Sequence, residues 1–210
     1  MRPLGPFCFF AAFMGTIDYI YLRNIFQPMS RKYKFRDNEK LYFISFAVVY
    51  WLDVFIRNDY RYELLDSWKY CMGNKGLEIY GWCIMTSHVH MIMGSNQDKL
   101  EGIVRDMKSY TSGRLRKAIQ AHPQESRREW MLWMMERAGS KNKNNKGFQF
   151  WQQHNQPIEL NTNSIMQQKL DYIHNNPVEA GFVENAEEWL FSSARDYCGN
   201  KGLIEINFIG

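Results

Sequence analysis

The chain has 210 residues, of which 45% are hydrophobic, and a formal net charge of +4. This length favours one domain with a substantial core over two domains, and the small net charge excludes a polycation that binds nucleic acid through its overall charge. The four cysteines stand singly without C-x-x-C spacing, which argues against a disulfide framework or a cysteine zinc site and fits a reducing cytoplasm.

The first 28 residues are predicted to be an N-terminal extension, followed by one domain over residues 29–210. The opening segment is basic and then apolar, as in a signal peptide, but it lacks a clean small-x-small cleavage site and contains Pro3 and Pro6. It is also too short and too interrupted to span a membrane. The alternative is that translation starts at Met29 and residues 1–28 are upstream read-through. We expect a cytoplasmic protein that does not bind membranes.

The first half of the domain predicts a sheet with one helix. From Lys40, KLYFISFAVVYW is rich in aromatic and β-branched residues and predicts a strand. YRYELLDSWKYCM then predicts a helix that ends near Gly73 and Gly76, and LEIYGWCIMTSHVHMIM predicts two strands joined by a turn near Thr86 and Ser87. This order is half of a ferredoxin-like unit, so the predicted fold class is α+β, a ferredoxin-like or RRM-like antiparallel sheet with helices on one face.

The second half predicts three helices and a basic insertion near residues 120–147. KLEGIVRDMKSYTSGRLRKAI predicts a helix with an apolar stripe and a basic flank, PQESRREWMLWMMERAG predicts a short helix, and SKNKNNKG predicts a loop. Between residues 100 and 147 there are eleven lysines and arginines against five acidic residues. FQFWQQHNQPIEL then predicts a small strand pair, and SIMQQKLDYIHNNP predicts a helix that stops at Pro177.

Two histidines, His88 and His90, stand one residue apart in the apolar run CIMTSHVHMIM. Alternate residues of a strand share one face, so the two imidazoles point the same way. Burial of unpaired imidazoles is costly, which favours a shared metal over two independent histidines. The H-x-H pattern alone is weak evidence, because several zinc and iron sites use it. The other histidines show no obvious pairing.

A candidate partner for this pair lies in LDYIHNNPVEAG, where Tyr172 and Asn176 are four residues apart and share one face of the predicted helix. Tyr172 is about 200° around the helix from Leu170, so its hydroxyl need not belong to the core. Asn176 precedes a proline, which disfavours helical geometry there and places Asn176 in a frayed last turn.

The H-V-H strand, the RDMKSYTS helix, the FWQ segment at residues 150–152 and LDYIHNNPVEAGFV, in this order over about residues 33–200, resemble the single-tyrosine HUH transposases, in particular the REP-associated tyrosine transposase group. The resemblance implies the HUH endonuclease fold, with Tyr172 as the nucleophile that attacks DNA. It also implies that His88, His90 and Asn176 hold a divalent metal. Two imidazoles and an amide oxygen suit Mg²⁺ or Mn²⁺. The implied substrate is single-stranded or hairpin DNA, joined through a 5′-phosphotyrosine, and the active form is either a monomer or a homodimer.

Charge and aromatic residues predict where DNA binds. The residues expected to contact phosphates or bases are Arg105, Lys108, Arg116, Lys141, Lys143, Lys146 and Trp151. Packing in the core is the alternative role for Trp151, and simple solvation is the alternative for the lysine loop. Tyr110, in KSYTS, is the rival nucleophile, but the YIHNNP context favours Tyr172.

Two other functions fit parts of the pattern. A non-catalytic single-stranded nucleic-acid-binding module of RRM-like architecture would bind bases on its sheet and would have no use for paired histidines. An H-x-H metal hydrolase would activate water, would need another carboxylate or histidine ligand, and would give no role to a tyrosine.

Overall fold

The structure is a computed structural model that describes residues 35–142, 147–153 and 155–209. The predicted extension over residues 1–28 and two of the predicted DNA contacts, Lys143 and Lys146, lie outside the described residues. No helix in the described part of the chain is long and apolar enough to cross a membrane.

The described residues form four strands and five α-helices. The strands are β1 (Tyr42–Ala47), β2 (Leu77–Ile84), β3 (His88–Ser95) and β4 (Ile158–Glu159). The α-helices are α1 (Asn58–Lys75), α2 (Leu100–Ala121), α3 (Arg128–Ser140), α4 (Asn163–Glu179) and the short α5 (Ala194–Tyr197). Short 3-10 turns cover Val49–Trp51, Val54–Ile56 and Ala186–Glu188.

The sheet has four strands in the order β2-β3-β1-β4, and its three strand pairs are antiparallel. The central strand β3 pairs with β1 and β2, and its His90 lies opposite Ser45 on β1 and Cys83 on β2. Residues paired in this way project to the same face of an antiparallel sheet. The α+β class predicted from the sequence is therefore confirmed, and the two histidines lie at the middle of the sheet.

The two faces of the sheet are covered by different helices. Alternate strand residues such as Ile44, Trp82 and Met91 join one large core with α1 and α2, where the Trp68 and Trp82 rings meet at 5.5 Å. Helix α4 departs from the predicted one-sided arrangement, because it covers the opposite face. Gly81 allows this close approach: a Cβ there would lie 2.7 Å from the Cδ1 atom of Leu170 on α4.

Two elements end differently from their predictions. The first strand ends at Ala47 rather than continuing to Trp51, because the chain turns at Val49–Trp51. Helix α4 does not stop at Pro177 but runs to Glu179. Pro177 lacks only one amide donor in the final turn, and the helix then closes at Gly181, whose φ of 73° is left-handed.

The FWQ segment predicted to form strands makes a single β-bridge between Trp151 and Val48. The side chain of Trp151 is 5% exposed, and its indole N–H donates to the Thr111 hydroxyl at 3.0 Å. It therefore belongs to the core and is not available for stacking on bases. The ammonium of Lys108 is likewise turned inward, donating to the carbonyl oxygen of Gln152 at 2.8 Å and to Asn155 Oδ1 at 2.7 Å. Trp151 and Lys108 were both predicted to contact DNA, but their side chains form hydrogen bonds that link α2 to this segment.

The turn that precedes α3 is held by a buried carboxylate, Glu125. It accepts hydrogen bonds from Arg57 at 2.9 Å and from Arg127 at 3.1 Å, and its side chain is fully buried. Burial by itself would raise the pKa of Glu125, but the hydrogen bonds from Arg127 and Arg57 outweigh it and lower the pKa to about 2.

We expect Glu125→Gln to destabilise the fold by about 2 kcal/mol at pH 7, because both arginines lose their counter-charge while remaining partly solvated. The folded pKa lies below the unfolded value, so this contribution is complete above about pH 4.5 and disappears as pH falls toward 2. Urea unfolding at pH 7 and pH 3 measures it. Glu136→Gln is the control, since its ion pair with Arg116 is half-exposed and contributes less than about 0.5 kcal/mol. Equal effects of the two variants would contradict the prediction.

Candidate active site

The two histidines of β3 meet on the sheet face that α4 covers. Their ring centroids are 4.8 Å apart, and the ring of His90 stacks on Phe43 of β1 at 5.6 Å. The hydroxyl of Ser87, immediately before the strand, lies 3.2 Å from Nδ1 of His88. The alternation of strand residues predicts that both imidazoles lie together. It does not reveal Phe43 or Ser87 as neighbours of the pair.

Helix α4 brings Tyr172 to this pair. The Tyr172 ring lies 5.1 Å from the His90 ring and 6.0 Å from the Phe43 ring, in edge-to-face contact with both. Leu170 and Ile173, on the buried side of α4, pack over Gly81 and Ile92 and fix the height of the helix above the sheet. A residue far along the chain is therefore held beside the histidines by ordinary helix packing.

Asn176 lies one helical turn after Tyr172 and faces the same site. Its amide nitrogen is 3.4 Å from the Tyr172 carbonyl oxygen, and its side chain is hydrogen-bonded to His88. Because α4 continues through this position, the frayed geometry expected before Pro177 is absent and Asn176 is buried.

A lysine that the sequence reasoning missed completes the site. Lys169 stands three residues before Tyr172, so the two share one side of α4. Its Nζ lies 4.9 Å from the centroid of Phe43 and 5.6 Å from that of Tyr172. Burial lowers the pKa of Lys169. One sequence signal could have revealed Lys169. It stands three residues before the tyrosine, on a helix with no other lysine or arginine.

Burial keeps both imidazoles neutral at physiological pH. It lowers the pKa of His88 to about 4, an effect partly offset by the Asn176 hydrogen bond. The pKa of His90 lies well below its ordinary value because of burial, then His88, then the charge of Lys169. Neutral imidazoles keep a nitrogen lone pair for a ligand. Together with the Asn176 amide oxygen they form a nitrogen and oxygen donor set that fits a hard divalent cation.

A carboxylate does not contribute to this donor set. Within the described ranges, no three histidine, cysteine, aspartate or glutamate side chains lie close enough together to hold a metal ion. His122 instead pairs with Asp59 at 3.3 Å, and His174 contacts the Ser193 hydroxyl at 2.9 Å. Among the described residues, the Asn176 amide is the predicted third ligand, and its side chain is buried beside His88.

The predicted basic contacts are not gathered around this site. Arg105 and Arg116 lie on α2, in the helical layer across the sheet from the histidines. The Arg105 side chain is 74% exposed beside Asp106, whereas Arg116 contacts Glu136 and lies over the Phe148 ring at 4.3 Å. Lys141 is exposed after α3. Lys169, by contrast, places a positive charge beside the Tyr172 ring and close enough to His90 to lower its pKa.

Comparisons with known proteins agree with the fold. Residues 41–136 match the family described as transposase, IS200-like, a range that contains both histidines and ends before Tyr172. The fold is similar to the solved structure of a REP-associated tyrosine transposase bound to a REP hairpin, with a TM-score of 0.57 and 19% identity over 88% of this chain and 92% of that chain. No curated protein matches the sequence significantly.

Proposed function

We propose that this protein, whose residues 41–136 match the IS200-like transposase family, cleaves and rejoins single-stranded DNA through a covalent bond to Tyr172. The observation that carries the proposal is the 5.1 Å approach of the Tyr172 ring to His90, across elements distant in sequence. A partly buried tyrosine with a purely structural role needs no pair of neutral imidazoles beside it. The similarity to a transposase that binds a REP hairpin supports hairpin DNA as the substrate.

The covalent step exchanges one phosphate ester for another. The Tyr172 hydroxyl oxygen forms a bond to the phosphorus, and the bond from phosphorus to the 3′ oxygen breaks. The phenol loses its proton to solvent, and the departing 3′ oxygen takes up a proton. The products are a 5′-phosphotyrosine and a free 3′ hydroxyl, and attack by another 3′ hydroxyl reverses the step without ATP.

Mg²⁺ or Mn²⁺ would be held by the imidazoles of His88 and His90 and by the side-chain oxygen of Asn176. When bound, such an ion supplies Lewis-acid polarisation of the phosphate. The chain's own part is to orient these ligands. Ser87 contacts Nδ1 of His88, which fixes the ring and leaves the Nε2 lone pair for coordination when Nδ1 carries the proton. A metal hydrolase would instead need a third histidine or a carboxylate, and the described residues do not place one beside this pair.

Lys169 supplies the positive charge on the tyrosine side of the site. An ammonium group over the ring favours the phenolate over the phenol, and it also attracts the phosphate. We expect Lys169→Met to slow formation of the covalent adduct about tenfold while DNA affinity changes less. Lys169→Arg, which retains the charge, should restore most of the rate. Single-turnover adduct formation and filter binding measure the two quantities, and unchanged kinetics in the Met variant would remove Lys169 from the mechanism.

The proposal is tested by mixing the protein with end-labelled single-stranded hairpin DNAs and Mn²⁺, followed by denaturing electrophoresis. We expect a band of protein bound to the 5′ end of the cleaved strand, and peptide mass spectrometry should find the phosphodiester on Tyr172. Binding without an adduct in any divalent metal would favour the RRM-like module, and cleavage without an adduct would favour the hydrolase.

A further inference from the structure

Two consecutive residues beside the histidines have a backbone conformation that non-glycine residues rarely adopt. Tyr50 has φ 55° and ψ 19°, and Trp51 has φ 56°. Each such residue costs about 1 kcal/mol or more, and strain of this kind concentrates at functional sites. The sequence predicted a strand here, so the turn is imposed by the surrounding structure.

The strained turn is held from several sides. The amide of Val48 donates to the Ser87 carbonyl at 2.9 Å, and the amide of Val49 donates to the Phe150 carbonyl at 2.8 Å. The side chain of Gln152 donates to the Val48 carbonyl at 3.2 Å, and α3 packs against the turn. The FWQ segment, which provides no exposed base-stacking ring, thus fixes the two aromatic side chains in position.

The turn places the Trp51 ring beside His88, on the metal-ligand side of the site. The Trp51 ring meets the His88 ring edge-to-face at 5.2 Å and is half-buried, while Tyr50 is 45% exposed. Asp53, two residues later, is an exposed carboxylate that would repel a phosphate. A neutral, flat group suits this surface better than the DNA backbone does.

We propose that Tyr50 and Trp51 form a stacking site for an unpaired nucleobase next to the phosphate that Tyr172 attacks. This inference rests on the proposed function and names its substrate contact. Unpaired bases bind aromatic side chains through their faces. A base held against this rigid turn would set which phosphate of the single strand reaches His88 and His90, so the turn positions the cleavage point.

The test uses the tightest-binding oligonucleotide selected from a random single-stranded library with the wild-type protein and Mn²⁺. An abasic residue replaces each unpaired nucleotide in turn, and binding is compared between wild type and Trp51→Gly. Glycine tolerates φ near 56°, so this variant removes the ring without adding backbone strain. Trp133→Ala is the control, because Trp133 is a 53% exposed tryptophan on α3 whose ring contacts Arg137 instead of a histidine.

We expect one or two abasic positions to weaken wild-type binding about tenfold and to have no effect in Trp51→Gly. Trp133→Ala should keep the wild-type pattern. Identical abasic profiles in wild type and Trp51→Gly, or no sensitive position at all, would overturn the stacking site, even if the adduct at Tyr172 forms. Absence of the adduct, by contrast, bears on the proposed chemistry alone.

A second measurement does not depend on the folding of Trp51→Gly. A fluorescent 2-aminopurine at the most sensitive position should lose emission when the wild-type protein binds, because stacking on an aromatic ring quenches it. Undiminished emission in the bound complex would also overturn the inference.

Discussion

Tyr172→Phe should form no covalent DNA adduct, with a rate below about 10⁻³ of wild type, because the variant lacks the hydroxyl oxygen that is proposed to attack the phosphate. DNA affinity should stay within about twofold, since phenylalanine keeps the charge and nearly the shape of the side chain. The ring contacts with His90 and Phe43 persist as well, so the melting temperature should be unchanged. Adduct formation, filter binding and thermal unfolding measure these three quantities.

Tyr110→Phe is the matched control for this substitution. Tyr110 is the rival nucleophile in the sequence and is 57% exposed on α2, in the layer across the sheet. Its variant should form the adduct at the wild-type rate. If Tyr110→Phe lost the adduct and Tyr172→Phe kept it, the assignment of the nucleophile would be wrong.

His90→Ala should reduce adduct formation about 100-fold or more, because the proposed divalent-metal site would lose a ligand at the centre of the sheet. A second readout does not depend on DNA. Mn²⁺ at about 100 times its Kd should stabilise the wild-type fold by about 2.7 kcal/mol and should not stabilise the variant. Thermal unfolding with and without Mn²⁺ measures this difference, and His88→Ala should behave in the same way.

His122→Gln controls for the loss of a partly buried imidazole elsewhere. His122 caps α2 and contacts Asp59 and Tyr60, on the side of the sheet away from the site. Its variant should retain both the adduct and the stabilisation by Mn²⁺. Full stabilisation of His90→Ala by Mn²⁺ would show that the histidine pair is not the metal site.

The sequence predicted the sheet and the histidine pair well, because both depend on local periodicity. Alternate residues of a strand share a face whatever surrounds them, so His88 and His90 were assigned to one side before the fold was known. The encounter with Tyr172 could not follow from periodicity, since it depends on how α4 packs on Gly81 and Ile92. There the resemblance to a known family supplied the expectation, and the structure places the Tyr172 ring 5.1 Å from the His90 ring.

The DNA-contact predictions were weaker because charge in a sequence does not show where a side chain points. Lys108 was predicted to contact DNA from the surface, but its ammonium points inward and links α2 to Gln152 and Asn155 by hydrogen bonds. Trp151 looked like a stacking residue but is packed in the core. Conversely, the sequence predicts that Tyr50 and Trp51 end a strand. The structure forms a left-handed turn there instead, because residues distant in sequence hold the backbone in that conformation.

Tyr172 and Asn176 occupy successive turns of one helix, α4, whereas the two histidines lie on strand β3 of the sheet. A small lift of α4 from the sheet would therefore withdraw the proposed nucleophile and one proposed metal ligand in a single movement. On the proposed mechanism, loss of the ion and loss of attack would then be one event.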